Sequence, residues 1–195
     1  MTFYRVIRRF LCIMVPILWR VKIVGRERLP KGAAVICGNH TAMTDPVFVI
    51  TAFKKDDPLF ILLKKELHSL PVLGWILRKM GTISVDREMN DMKAIKTSME
   101  KLKAGGKLLI FPEGTRSKGR EIEPKSGAAL FAHRYNAPLV PIYITEGSKP
   151  LFSRVNIIIG EPYRVTCAEK RPPADFYQNE SRKLMGAIFA LGEAP

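Results

Sequence analysis

The chain is poor in the residues that build metal centres and disulfide frameworks: its 195 residues include three cysteines and three histidines. Cys12, Cys37 and Cys167 are odd in number and far apart, so neither a disulfide set nor a metal-binding spacing can be assembled from them. Cys37 lies in an apolar run and reads as a small core hydrophobe. With His40, His68 and His133 as the only imidazoles, no zinc site is expected, and the chain reads as metal-free and cytosol-facing. Long apolar runs are missing too. The longest, Phe10 to Trp19, has ten residues and contains Pro16, whereas a spanning helix needs about 20. A signal peptide is not expected, because Pro16 interrupts the apolar stretch and no small-residue cleavage site precedes Arg20 and Lys22. Repeats and low-complexity tracts are absent, and the length suits one domain with a real core.

Acidic residues are the scarce charge. Asp and Glu number 18 against 32 Lys and Arg, a net charge of +14. Residues 1–31 carry eight basic side chains and one acidic one, which is half of that excess. Within them Phe3, Val6, Ile7, Phe10, Leu11 and Met14 recur at helical spacing, with Arg5, Arg8 and Arg9 at other positions. Such a helix suits the interface of an anionic membrane, and the same spacing suits a helix packed on the protein's own core. The division expected is a basic amphipathic membrane-associating segment over 1–31 and the main folded domain over 32–195, held peripherally on the cytoplasmic face of a membrane. Positive charge alone also suggests a nucleic-acid binder, but no recognition motif is present and the charge clusters beside an apolar run.

The remaining pattern alternates strands and helices. Strands are expected at Ala33–Cys37, Leu59–Leu63, Thr82–Val85, Lys107–Phe111, Leu139–Ile144 and Val155–Ile159, with another near Tyr163–Thr166. A methionine-bearing stripe from Met89 to Leu102, then Lys125–Asn136 and Asp175–Leu191 with Asp175 as N-cap, read as helices. Alternation of this kind predicts a single α/β domain with a central, largely parallel sheet flanked by helices.

Two polar clusters follow apolar strands. In Asn39-His40-Thr41-Ala42-Met43-Thr44-Asp45 an imidazole stands five residues before a carboxylate. Five residues do not share a helix face, so the two side chains must meet across a turn, with Pro46 opening a helix after it. A carboxylate on the far nitrogen of a histidine fixes its tautomer and favours the imidazolium, which makes the pair a general base. The blander reading is a helix-capping aspartate beside an ordinary loop histidine. The second cluster, Phe111-Pro112-Glu113-Gly114-Thr115-Arg116-Ser117, offers a planar guanidinium for phosphate at Arg116 and a close backbone approach at Gly114. Its blander reading is a polar surface turn. Arg87, just past another strand, and Lys64 or Lys65 are further phosphate candidates, although a Lys-Lys-Glu run is usually solvated.

Together these stretches resemble the glycerolipid acyltransferase superfamily. His40 and Asp45 look like its H-x4-D motif, and FPEGTRS resembles the third motif of the 1-acylglycerol-3-phosphate O-acyltransferase branch. Gly81–Arg87 is similar to the second motif and Val140–Ile144 to the fourth. Lys64-Lys65-Glu66-Leu67 and Gly74-Trp75 fall where the family has a basic segment and an aromatic turn. Ala42 departs from the serine often found there. The resemblance implies transfer of an acyl group from acyl-CoA or acyl-acyl carrier protein to lysophosphatidic acid, with the thioester as co-substrate and no cofactor. It implies His40 as base with Asp45, acceptor phosphate on Arg116 with Lys64 and Arg87, glycerol contacts from Glu113 and Thr115, and oxyanion donors near Gly114. Glycerol-3-phosphate, a lysophospholipid or another membrane alcohol or amine are the alternative acceptors.

Overall fold

The computed structural model describes residues 2–54, 57–86, 91–117, 122–169 and 171–193. Its strands are β1 (Arg20–Val24), β2 (Ala34–Gly38), β3 (Leu59–Lys64), β4 (Ile83–Val85), β5 (Lys107–Ile110), β6 (Leu139–Ile144) and β7 (Arg154–Ile159). Its helices are α1 (Thr2–Leu18), α2 (Asp45–Ala52), α3 (Lys65–His68), α4 (Pro71–Lys79), α5 (Met92–Lys103), α6 (Gly127–Arg134) and α7 (Phe176–Glu193). The strands form one sheet in the order β1-β7-β6-β2-β5-β3-β4, parallel throughout except for the antiparallel β6–β7 pair. Strand β2 is buried at every position, as a parallel strand covered on both faces must be. One face carries α1 and α2 over Ile36, Ile142 and Ile157. The other carries α5, α6 and α7 over Val35, Leu108 and Leu139. This is the expected single α/β domain, and no helix among the described residues is long and apolar enough to cross a membrane.

Several expectations are refined. Arg20–Val24 is a strand at the sheet edge, with Val21 and Ile23 turned to the core and Arg20, Lys22 and Val24 exposed. Tyr163 makes only an isolated bridge to Leu139, with no strand over Tyr163–Thr166. Asp175 accepts the side-chain amide of Asn179 at 2.8 Å. The helix read from Met89 begins later, where the Asp91 carboxylate caps the Ala94 N–H at 2.9 Å.

Helix α1 runs on through Pro16. It is apolar on two sides. Tyr4 and Val15 are buried, the Tyr4 hydroxyl accepts the Leu59 N–H at 3.3 Å, and Arg8 donates to the Phe53 carbonyl. The opposite side presents Val6, Phe10, Ile13 and Ile17 to solvent, each at least half exposed. The Phe3 ring meets Trp75 of α4 edge-on at 5.4 Å, which brings the exposed Val72, Leu73 and Trp75 alongside.

Candidate active site

Three parallel strand ends converge at the centre of the sheet. Strand β2 lies between β5 and β6, and α2 leaves toward one face while α6 leaves toward the other. A crevice outside the carboxyl ends of such strands is where open α/β sheets hold ligands.

From the end of β2 the chain enters Asn39, which is fully buried. Its amide donates to the Ile144 carbonyl at 2.9 Å and accepts the Ile144 N–H at 2.8 Å, so a side chain continues the ladder to β6. His40 follows, and its Nδ1 lies 3.0 Å from Asp45 Oδ2. The same oxygen accepts the N–H groups of Thr41 and Ala42, both at 2.8 Å. Asp45 opens α2 with Pro46 behind it, so the turn between histidine and carboxylate is closed by the carboxylate itself. Burial opposes ionisation of Asp45, but the His40 hydrogen bond, Lys149 and the Ala42 N–H outweigh it and hold its carboxyl below the usual range. An ionised Asp45 makes Nδ1 the protonated nitrogen of His40 and leaves Nε2 to accept a proton. The imidazole stacks on Phe111 with ring centres 4.3 Å apart, and its side chain is 14% exposed.

The turn after β5 is stitched to the same histidine. Glu113 Oε1 accepts the His40 N–H at 3.0 Å, and the Ser117 N–H donates to the His40 carbonyl at 2.9 Å. The two clusters flagged in the sequence are therefore one site. Burial pushes the Glu113 carboxyl up, only partly offset by the His40 N–H and by Ser117. Its Oε2 is buried without a full hydrogen bond. Gly114 takes a left-handed conformation (φ 67°), and a Cβ there would meet the Lys125 side chain at 2.9 Å. Thr115 and Arg116 are exposed.

The weaker phosphate candidates divide. Lys64 ends β3, one strand from Phe111, and pairs with Glu66 at 3.3 Å. Lys65 pairs with Asp86 at 2.5 Å. Arg87 lies outside the described residues. His68 bonds Thr82 at 2.9 Å and His133 bonds Tyr177 at 2.9 Å, each away from the His40 cluster in chain and contacts. No group of three metal-ligating side chains occurs among the described residues.

Sequence reasoning missed Asn39 and Lys149. The Lys149 ammonium lies 2.8 Å from Asp45 Oδ1, with its side chain 2% exposed. The Asn39 signal was adjacency to His40; Lys149, in a Gly-Ser-Lys-Pro turn, had none. Two cavities flank the Phe111–Ser117 turn. One of about 300 Å³ is lined by Leu62, Ile95, Ile110, Phe111, Ala128 and Phe131, with Gly114 and Lys125 also on its wall. The other, about 880 Å³, is lined by Glu113, Ser117, Glu123, Glu146, Arg182 and Phe189.

The sequence profile of the family described as Acyltransferase matches residues 20–145. A 1-acyl-sn-glycerol-3-phosphate acyltransferase of Bacillus subtilis is 32% identical over 86% of this chain and 82% of its own length. Its Helicobacter pylori namesake is 34% identical over 68% of this chain and 60% of its own length. The crystal structure of the 1-acyl-sn-glycerophosphate (LPA) acyltransferase PlsC from Thermotoga maritima superposes with a TM-score of 0.66, covering 89% of this chain and 71% of that one at 21% identity, a likeness of fold. The chain therefore belongs to the acyltransferase family, among the 1-acyl-sn-glycerol-3-phosphate O-acyltransferases.

Proposed function

We propose that the protein transfers a fatty acyl group from a thioester, acyl-CoA or acyl-acyl carrier protein, to the sn-2 hydroxyl of 1-acylglycerol-3-phosphate, giving phosphatidic acid. The observation that carries this reading is the His40–Asp45 pair at 3.0 Å, held at the strand-end crevice by Glu113 and Ser117. With Nδ1 given to an ionised carboxylate, Nε2 removes the proton of the attacking hydroxyl. The new C–O bond forms as the hydroxyl oxygen adds to the thioester carbonyl. The C–S bond then breaks, and the imidazolium returns its proton to the departing thiolate. The Gly114 N–H closes the turn onto the Phe111 carbonyl at 2.9 Å, and backbone N–H groups near Gly114 steady the oxyanion. No serine or cysteine nucleophile is assigned, so transfer is direct and needs nothing beyond the two substrates.

Arg116 holds the acceptor phosphate with its planar fork, supported by Lys64 and Arg87, while Glu113 and Thr115 contact the glycerol portion. The apolar cavity beside Phe111 suits an acyl chain. The outward face of α1, with Phe10 and Ile13 exposed among Arg5 and Arg9, lies on anionic lipid, so that an insoluble acceptor reaches the site from the membrane.

The test presents purified protein with 1-acylglycerol-3-phosphate or glycerol-3-phosphate and each donor, and identifies products and intact protein mass by mass spectrometry. Phosphatidic acid from the first acceptor, with unmodified protein throughout, is the expected result. Acylation of glycerol-3-phosphate alone overturns the acceptor assignment, and a trapped acyl-protein adduct overturns direct transfer.

A further inference from the structure

Asp45 is fully buried, and its two oxygens are treated differently. Oδ2 takes three donors, from His40, Thr41 and Ala42. Oδ1 takes none of these; it faces the Lys149 ammonium at 2.8 Å, an ion pair off the ideal hydrogen-bond direction. The ammonium is itself satisfied, lying 3.3 Å from Thr41 Oγ1 and 3.1 Å from the Gly147 carbonyl. Three acceptors around a group with three N–H bonds leave it no reason to turn elsewhere.

The loop that delivers Lys149 is tied to the end of the N-terminal helix. The Trp19 indole N–H donates to the Lys149 carbonyl at 2.9 Å. The Phe152 N–H donates to Leu18 O at 2.7 Å, and the Arg20 N–H to Ser153 O at 3.0 Å. The Trp19 ring also meets Phe48 of α2 edge-on at 5.3 Å, and α2 begins with Asp45. Trp19 thus touches both the helix that carries Asp45 and the loop that carries its counter-ion.

We propose that Lys149 is a positioning residue for the His40–Asp45 pair, held by Trp19, so that the acid–base unit is a run of three charged or titrating groups secured by the end of α1. The inference rests on His40 being the base. Lys149 shares the Asp45 charge, which keeps that carboxylate ionised in a buried place and aimed at His40. The other charged groups that face the pair are Glu113, through the His40 N–H, and Glu146, which acts on Glu113. Without Lys149, burial favours a protonated Asp45, and any remaining carboxylate charge holds the imidazolium proton more firmly. Both consequences move the acid limb of the rate profile to higher pH.

The experiment compares Lys149→Met, Lys149→Arg and Trp19→Phe in the full chain, with 1-acylglycerol-3-phosphate and acyl-CoA, measuring kcat, both KM values, the pH dependence of kcat/KM and Tm. Lys149→Met is expected to lower kcat by up to about 10²-fold, the usual scale of a misplaced catalytic group. Both KM values should stay within about twofold, and the acid limb should move up. Lys149→Arg keeps the charge and should return the acid limb to its wild-type position. Trp19→Phe keeps the ring on Phe48 but removes the N–H, and should lower kcat in the same sense by less. Adding Lys149→Met to Asp45→Asn should cost no further rate, because Lys149 acts through Asp45. A wild-type rate and acid limb in Lys149→Met overturns the proposal. So do equal losses of Tm and kcat in the Met and Arg variants with an unmoved acid limb, which mark a structural role only. Full activity of His40→Ala would instead overturn the underlying base assignment, whatever the Lys149 variants do.

Discussion

Asn39→Ala tests whether the site is built as the hydrogen bonds suggest. Asn39 stands one residue past β2, where the backbone has left the ladder, and its amide substitutes for a peptide group against Ile144. Both residues are 0% exposed. Truncation to alanine leaves the Ile144 N–H and carbonyl without those partners in a place water does not reach. Each buried group stranded in this way costs about 1–3 kcal/mol, so the pair should cost roughly 2–6 kcal/mol, and about 3 kcal/mol if the strand end relaxes. For a chain of this size that corresponds to a fall in Tm of roughly 6–12 °C. Urea unfolding followed by circular dichroism measures the free energy, and kcat measured well below the new Tm reads the site. Activity should fall as well, because Asn39 precedes His40 and Ile144 leads into the loop that carries Lys149. A destabilisation under about 1 kcal/mol with wild-type kcat would refute the reasoning, since the two bonds would then carry neither the fold nor the site.

Four other outcomes are expected. His40→Ala should lose about 10²-fold to 10⁴-fold in rate with its far-ultraviolet spectrum intact, and near wild-type turnover would remove His40 as base. Arg116→Lys should raise the acceptor KM and leave the donor KM unchanged, because lysine offers a point charge in place of a fork; equal effects on both would move Arg116 out of the phosphate site. Phe10→Ser with Ile13→Ser should keep Tm within about 2 °C, since both side chains are more than half exposed, yet abolish co-sedimentation with anionic vesicles. Retained binding would place the membrane contact elsewhere, for example on α4. Burial raises the Glu113 carboxyl, so its contribution to stability is complete below the ordinary carboxylate value and is lost as pH rises through the raised one. Glu113→Gln should therefore gain in Tm relative to wild type as pH rises above the ordinary carboxylate range, and a pH-independent difference would refute the buried, partly satisfied carboxylate.

Most of the fold was legible because the central strands are buried on both faces. Ala34–Gly38 and Leu139–Ile144 are short apolar runs bounded by polar turns, and such runs announce themselves whatever they pair with. Strand β1 was not legible, because Arg20 and Lys22 merge with the basic residues around them while their alternation with Val21 and Ile23 is what an edge strand requires. Helix α1 illustrates a different limit. Its apolar residues form one stripe by spacing, yet Tyr4, Leu11 and Val15 face the core while Val6, Phe10, Ile13 and Ile17 face out. Helical spacing separates the apolar residues from Arg5, Arg8 and Arg9, but it does not say which apolar side meets the core and which meets solvent. The same arrangement makes deletion of residues 1–20 a poor test of membrane attachment, since it also strips Val15 from the core and Trp19 from Lys149.

At the site, legibility follows sequence distance. His40 and Asp45 lie in one turn, so their spacing already required them to meet across it. Glu113 and Ser117 were recognisable as a polar cluster after a strand, but their contact with His40 depends on β5 lying beside β2, and strand order is not written in any local pattern. Lys149 is the extreme case. A lysine in a Gly-Ser-Lys-Pro turn reads as solvated by every local rule. It is drawn out of water because Trp19 and Leu18 close the loop over it. An ammonium so enclosed must find an anion, and the buried carboxylate beside it is Asp45, whose second oxygen no backbone N–H supplies.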